Sequence, residues 1–169
     1  MSRDSKQQFL DTYEHEHEIT RRVLAAYPAD QLELRPHPKL KNARELAWVF
    51  AMERGLGTKI WKDVFANGMP KDAPPPPKAP EDWNEVLEGI EKAHREFHDL
   101  VAATSDEDFH GTVHFFTGPK KIGPMTRKDV AWFLLHDEIH HRGQLSVYLR
   151  MSDAKVPSIY GPSGDEQWT

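Results

Sequence analysis

At 169 residues the chain is long enough for one compact domain with a sizeable core and too short for a second, so a single domain over 1–169 is expected. A net charge of -5 without any basic run argues against a nucleic-acid binder, and the lack of an apolar run of about 18 residues or of a charged-then-apolar leader argues for a cytoplasmic protein without a membrane span. With no cysteine there is no disulfide, thiolate ligand or cysteine nucleophile, so any metal must be held by nitrogen and oxygen alone.

Four segments carry helical periodicity, separated by proline and glycine. The first runs from about Ser5 to Tyr27, with Phe9, Tyr13, Thr20, Leu24 and Tyr27 on one face, and stops before Pro28. A loop with Pro36 and Pro38 leads to the second, about Ala43 to Asn67, whose stripe is Leu46, Val49, Phe50, Ile60 and Val64, with Glu53 in its middle. Pro70 and the run Pro74-Pro75-Pro76-Pro77-Lys78-Ala79-Pro80 then exclude helix and predict an extended polyproline connector as long as the bundle. The third helix, about Glu81 to Ala103, shows Trp83, Val86, Leu87, Ile90, Phe97 and Val101 on one face, together with His94. Residues 106–124 read as a loop or a brief strand pair. The fourth helix covers about Thr126 to Met151, and the tail from Val156 to Ser163 is irregular but carries apolar anchors that would fold it back. The pattern predicts an all-α four-helix bundle.

The fourth helix is the richest in chemistry. Counting 100° per residue from Val130, the residues Phe133, Leu134, Leu145, Tyr148 and Met151 form an apolar stripe, with Asp137 and His141 at its centre and Arg142 pointing away. An acid and an imidazole in a core stripe cost free energy unless paired or metal-bound. His136 and His140 stand at the chelating i, i+4 spacing, but off the stripe, where they would orient a ligand from behind or lie on the surface. Trp132, Leu135 and Ile139 lie roughly opposite the stripe, a second apolar side that the tail or a second subunit would cover, and a homodimer is expected.

The run His140-His141-Arg142-Gly143-Gln144, followed by Tyr148-Leu149-Arg150, Val156-Pro157 and Ile159-Tyr160-Gly161-Pro162, resembles the DinB/YfiT-like family. Glu16-His17 and Thr20 in the first helix, Arg35-Pro36 in the first loop and Glu45-Leu46-Ala47-Trp48 opening the second helix extend the resemblance over nearly the whole chain. The resemblance implies a four-helix bundle, often dimeric, in which three histidines hold a divalent metal such as zinc or nickel. It also implies, for some members, thiol-dependent transfer or isomerisation.

Departures from that pattern fall on the ligands: Val49 and Asp137 stand where the resemblance implies histidines, and His141 alone matches. Glu53, one turn beyond Val49, and Asp137 would complete with His141 a two-carboxylate, one-histidine set suited to manganese, iron, nickel or zinc. His17 from the first helix and His94 from the third could face the same region, and His17, His136 and His140 are the candidate supporting residues around the site. Two function classes follow. One is a metal-dependent enzyme acting on a small molecule by thiol transfer or hydrolysis, with any thiol supplied by a low-molecular-weight cofactor. The other is a metal-free, stress-associated binding or scaffolding dimer in which the cluster is a buried hydrogen-bonded network.

Overall fold

Each long helix after the first starts at a side chain that closes its first turn. Asn42 accepts from the Glu45 backbone N–H while the Glu45 side chain reaches back to the Asn42 N–H, a complete capping box; Asp82 and Thr126 play the N-cap role for the later helices. In the computed structural model, which describes residues 5–168, the elements are α1 (Ser5–Ala25), α2 (Ala43–Trp61), α3 (Trp83–Ala103), α4 (Asp106–Phe109), β1 (Thr112–Gly118), β2 (Lys121–Thr126) and α5 (Arg127–Met151). The chain is therefore mainly helical but not all-α, because β1 and β2 pair as an antiparallel hairpin. Val113 and Phe115 project from β1 into the core, where the Phe115 ring meets Phe65 at 5.9 Å.

The second helix ends six residues earlier than its periodicity suggests. Asp63 adopts a left-handed backbone (φ 53°) just past the C-cap, and its carboxylate accepts from the His114 backbone N–H at 2.7 Å, so the chain turns to meet the hairpin. Val64, expected in the apolar stripe, is exposed as a result.

The four long helices form a ring in which α1 touches α3, α3 touches α2, α2 touches α5 and α5 touches α1. Cross-contacts fix the directions. The contacts Lys6 to Thr104 and His17 to Glu91 make α1 and α3 antiparallel, while Trp48 over Gly89 and Gly57 against Phe97 make α2 and α3 parallel. Parallel neighbours need a return crossing as long as the helix, roughly 28 Å for 19 residues. The proline run supplies it along the outside of α2. Trp48 Nε1 donates to the Pro77 carbonyl (3.2 Å) and Arg44 Nη1 to that of Pro80 (2.9 Å), so the connector runs opposite to α2.

Inside the ring the apolar core is split in two. One cluster gathers Phe9, Tyr13, Ile60, Phe97, Phe109, Val130 and Leu134; the other gathers Leu24, Leu46, Phe50, Ile90, Leu145 and Leu149. Between them lies a polar layer of Glu16, His17, Thr20, Arg54, His94, Glu138 and Arg142, all buried. Arg54 pairs with Glu138 at 2.8 Å and donates to the Tyr13 hydroxyl at 3.0 Å. Thr20 donates to Glu138 at 2.8 Å, and Arg142 pairs with Glu16 at 2.6 Å and donates to the Glu16 carbonyl at 3.0 Å. Tyr160 of the tail closes the layer, accepting from Arg142 and donating to Glu16 at 2.7 Å.

This layer corrects the phase of α5. Its buried face is centred on Glu138 and Arg142, not on Asp137 and His141; Arg142, expected to point away, is 1% exposed, whereas Phe133 and Met151 are about half exposed at 48% and 50%. Leu135 is fully buried, and Trp132 and Ile139 pack on the core, with the Trp132 ring edge-on to Phe9 of α1 at 5.5 Å. Of the apolar side that motivated a homodimer, Leu135 is thus buried within the chain itself and Trp132 and Ile139 are partly so.

Truncating Glu138 would leave the Arg54 guanidinium buried without its carboxylate. Glu138→Ala is therefore expected to lower unfolding free energy by about 3–5 kcal/mol in urea titration, against about 0.5 kcal/mol or less for the neighbouring Asp137→Ala. Equal effects of the two substitutions would overturn the assigned phase.

Candidate metal centre at the α2–α5 seam

Glu53 on α2 and Asp137 and His141 on α5 meet where the two antiparallel helices touch, level with the polar layer but at its rim. One donor atom from each lies within 4.8 Å of the other two. His141 Nε2 is 3.1 Å from Glu53 Oε1 and 3.7 Å from Asp137 Oδ1, and Glu53 Oε2 is buried with no hydrogen-bond partner. The close approach of α2 to α5 one turn further on is made by Gly57, where a Cβ would stand 2.7 Å from the Leu134 side chain.

Burial pushes the Glu53 carboxyl up to about 7, His141 opposing and the neighbouring Asp137 reinforcing the shift. The His141 imidazole is raised by its hydrogen bond to Glu53, against its own burial. Around neutral pH the pair therefore holds a proton that a cation in the same place would displace. Behind the ring, His141 Nδ1 meets the Gln144 amide oxygen at 3.1 Å. With Nδ1 donating there, Nε2 is left as the lone-pair nitrogen facing the two carboxylates, the tautomer that ligation requires. Donors drawn from two carboxylates and an imidazole, together with an orphaned buried carboxylate oxygen, fit a divalent cation of the manganese, iron, nickel or zinc type.

The other candidates lie elsewhere. His140 is exposed, its ring 5.2 Å from that of His141 and its Nε2 2.9 Å from Gln144 Nε2. His136 is exposed beside Trp132. His17 does not face the triad. Its Nδ1 meets Arg54 Nη2 at 3.2 Å, its ring stacks on His94 at 3.5 Å, and it belongs to the buried layer. Arg54 and Glu138, the centre of that layer, escape notice in the sequence because each reads as one more charge on a helix. The signal that could have exposed them is the i, i+4 spacing of Glu138 and Arg142 on the side facing α1.

The chain belongs to the DinB superfamily, whose family model matches residues 12–145. It is 25% identical over 160 residues to the protein YrdA of Bacillus subtilis (strain 168), covering 94% of this chain and 89% of that one. Among solved structures it is similar to a DinB-like protein from Bacillus cereus, with a TM-score of 0.73 at 23% identity over 91% of this chain and 97% of that one. A DinB-like protein from Bacillus subtilis gives 0.68 at 14% identity over 96% and 99% of the two chains. These structures share the fold.

The stacked pair His17 and His94 gives the layer a pH signature. His94 Nε2 meets Glu14 at 2.8 Å while its Nδ1 is buried without a partner. Burial first, then His17 and the Arg54 guanidinium, hold its pKa down to about 2 from an ordinary 6.5, and burial followed by Arg54 lowers that of His17. Below about pH 6.5 the unfolded chain takes up protons that the folded one refuses, so stability is full above that value and falls as pH drops. Between pH 7.5 and 5.5 the unfolding free energy from urea titration is expected to fall, with a limiting slope of about 1.4 kcal/mol per pH unit for each such histidine, and His94→Phe should flatten the curve. A wild-type slope in His94→Phe would refute the buried neutral imidazole.

Proposed function

We propose that the chain is a single-domain, DinB-type four-helix bundle that works as a divalent-metal-dependent enzyme on a small molecule, with Glu53, Asp137 and His141 as the ligands. The observation that carries this reading is the convergence of three donor side chains within 4.8 Å of one another, one of which, Glu53, carries a buried carboxylate oxygen without a hydrogen-bond partner. A bound ion would supply a Lewis acid that lowers the pKa of a nucleophile, the requirement shared by hydrolysis and thiol transfer. Gln144 would hold His141 in its ligating tautomer, and Glu53 and His141 would release the proton they hold between them as the ion enters. A thiol, where one is used, must come from a low-molecular-weight cofactor because the chain has no cysteine.

The direct contact of His141 with Glu53 also suits a metal-free scaffold in which the triad only ties α2 to α5. That tie already exists in the Arg54–Glu138 pair, which joins the same helices from inside the core, so a second, less buried tie at the rim is left without a task. The enzyme reading gives it one.

Elemental analysis of untagged protein, purified without chelator or a nickel column, decides between them. Near-stoichiometric metal is expected in the wild type and in the His136→Ala/His140→Ala double variant, and its loss in Glu53→Ala, Asp137→Ala and His141→Ala. Protein that cannot be loaded with manganese, iron, nickel or zinc would establish the scaffold instead. Asp137→His should raise zinc or nickel affinity by exchanging a hard donor for a softer one; unchanged affinity would remove Asp137 from the ligand set.

A further inference from the structure

Beside the triad, a groove of about 570 Å³ crosses the outer face of α2, from Gly89 and Ala93 on the α3 edge to Val49 and Glu53 on the α5 edge. Its size falls within the roughly 300–1,000 Å³ of small-molecule sites. The wall is made of Trp48, Val49, Met52 and Leu56 below and Pro74–Pro77 alongside, with the connector pinned by the Trp48 to Pro77 hydrogen bond. Apart from Glu53, the charged groups in the lining are Lys41 and Lys59, and neither ammonium has an ion-pair partner among the described residues. Gly55 forms part of the floor, and a Cβ built there meets nothing within 4 Å, so the absent side chain leaves open volume.

We infer that this groove binds the apolar body of an anionic substrate, an aryl or acyl carboxylate, sulfonate or phosphate. Its reacting end would lie at Glu53 and its anion at one of the two lysines. The inference rests on the proposed metal centre for its reacting end, but its chemistry follows from the groove alone. An indole, a methionine and a proline wall favour a flat or extended hydrocarbon; two uncompensated cations in a molecule of net charge -5 favour an anion and disfavour a cation. Continuity follows from Glu53, one side chain that belongs both to the groove wall and to the triad. The connector suits this role because polyproline is stiff and carries no N–H groups that a bound hydrocarbon would strand.

The test uses metal-free full-length protein and the dye anilinonaphthalene sulfonate, which combines an aromatic body with a fixed anion, titrated by fluorescence with energy transfer from tryptophan. Wild type should bind one equivalent saturably. Gly55→Phe fills the floor at a helical position where the side chain meets open space, so it should fold at least as well as wild type and weaken the dye by roughly tenfold or more. Met52→Glu, a charge of the dye's own sign on the same floor, should do likewise and serves if Gly55→Phe does not fold. Lys41→Gln with Lys59→Gln should cost roughly two- to fivefold and remove the salt dependence. Gly143→Phe, an equally open helical glycine on α5 away from the groove, should leave binding unchanged. Wild-type affinity in both Gly55→Phe and Met52→Glu, or equal loss in Gly143→Phe, overturns the assignment. Because the dye is read without metal, failure of the triad to load an ion leaves this result standing, and failure of the dye leaves the metal analysis standing.

Discussion

Two arginines buried at mid-height constrain the whole molecule. A guanidinium keeps its charge at any pH the protein meets, so it cannot escape desolvation by losing a proton as a lysine can. Each must be met by a carboxylate of good geometry, and here Glu138 meets Arg54 while Glu16 meets Arg142. The partners come from α1, α2 and α5, with Tyr160 of the tail bonded to both Arg142 and Glu16. The two apolar clusters above and below would tolerate small slips of one helix past another; a layer of paired charges would not, since a slip strands an ion. Register is thus set by the layer, and the clusters supply most of the burial.

The same layer places the candidate metal centre. Each residue of the triad immediately precedes a member of the layer: Glu53 before Arg54, Asp137 before Glu138, His141 before Arg142. Successive residues on a helix are about 100° apart. Once the second of each pair points into the core, the first is turned to the flank of its helix, and on α2 and α5 those flanks face each other across the seam. The triad is therefore half-buried rather than central. A fully buried carboxylate pair would face a prohibitive desolvation cost, whereas a rim site can take up an ion from solvent and still present it to a groove.

Why the sequence reveals the triad but not the layer follows from the same 100° step. In α5, apolar residues occupy Val130, Ala131, Trp132, Phe133, Leu134 and Leu135 consecutively, so periodicity alone allows more than one phase. Starting from Val130 centres the stripe on Asp137 and His141, and the true face lies one residue on, about 100° away, over Glu138 and Arg142. The three triad residues were legible because they are the polar groups bordering an apolar face, a property that survives a phase error of one residue. The buried ion pairs were not, because a charged residue inside a core looks locally like one on a surface. The early end of α2 was hidden for a different reason: it depends on Asp63 meeting the hairpin, a contact 51 residues away in sequence. The connector was plain from composition, since four consecutive prolines admit no helix.

The topology ties that connector to the groove. Because α2 and α3 run side by side in the same direction, the chain between them has to return along the outside of one of the two helices. Seven residues of polyproline geometry from Pro74 to Pro80 cover roughly 22 Å, most of the length of α2. A returning segment of ordinary composition would need hydrogen-bond partners for its exposed amides and would pack against α2 with its own side chains. The prolines have no N–H to satisfy, stand off from the helix, and accept from Trp48 and Arg44 through their carbonyls, so space is left beneath them where Met52 and Gly55 form the floor. A parallel helix pair, imposed by the order in which the ring is wound, thereby creates a stiff-walled apolar channel that ends at Glu53, the one residue through which the channel and the metal ligands meet.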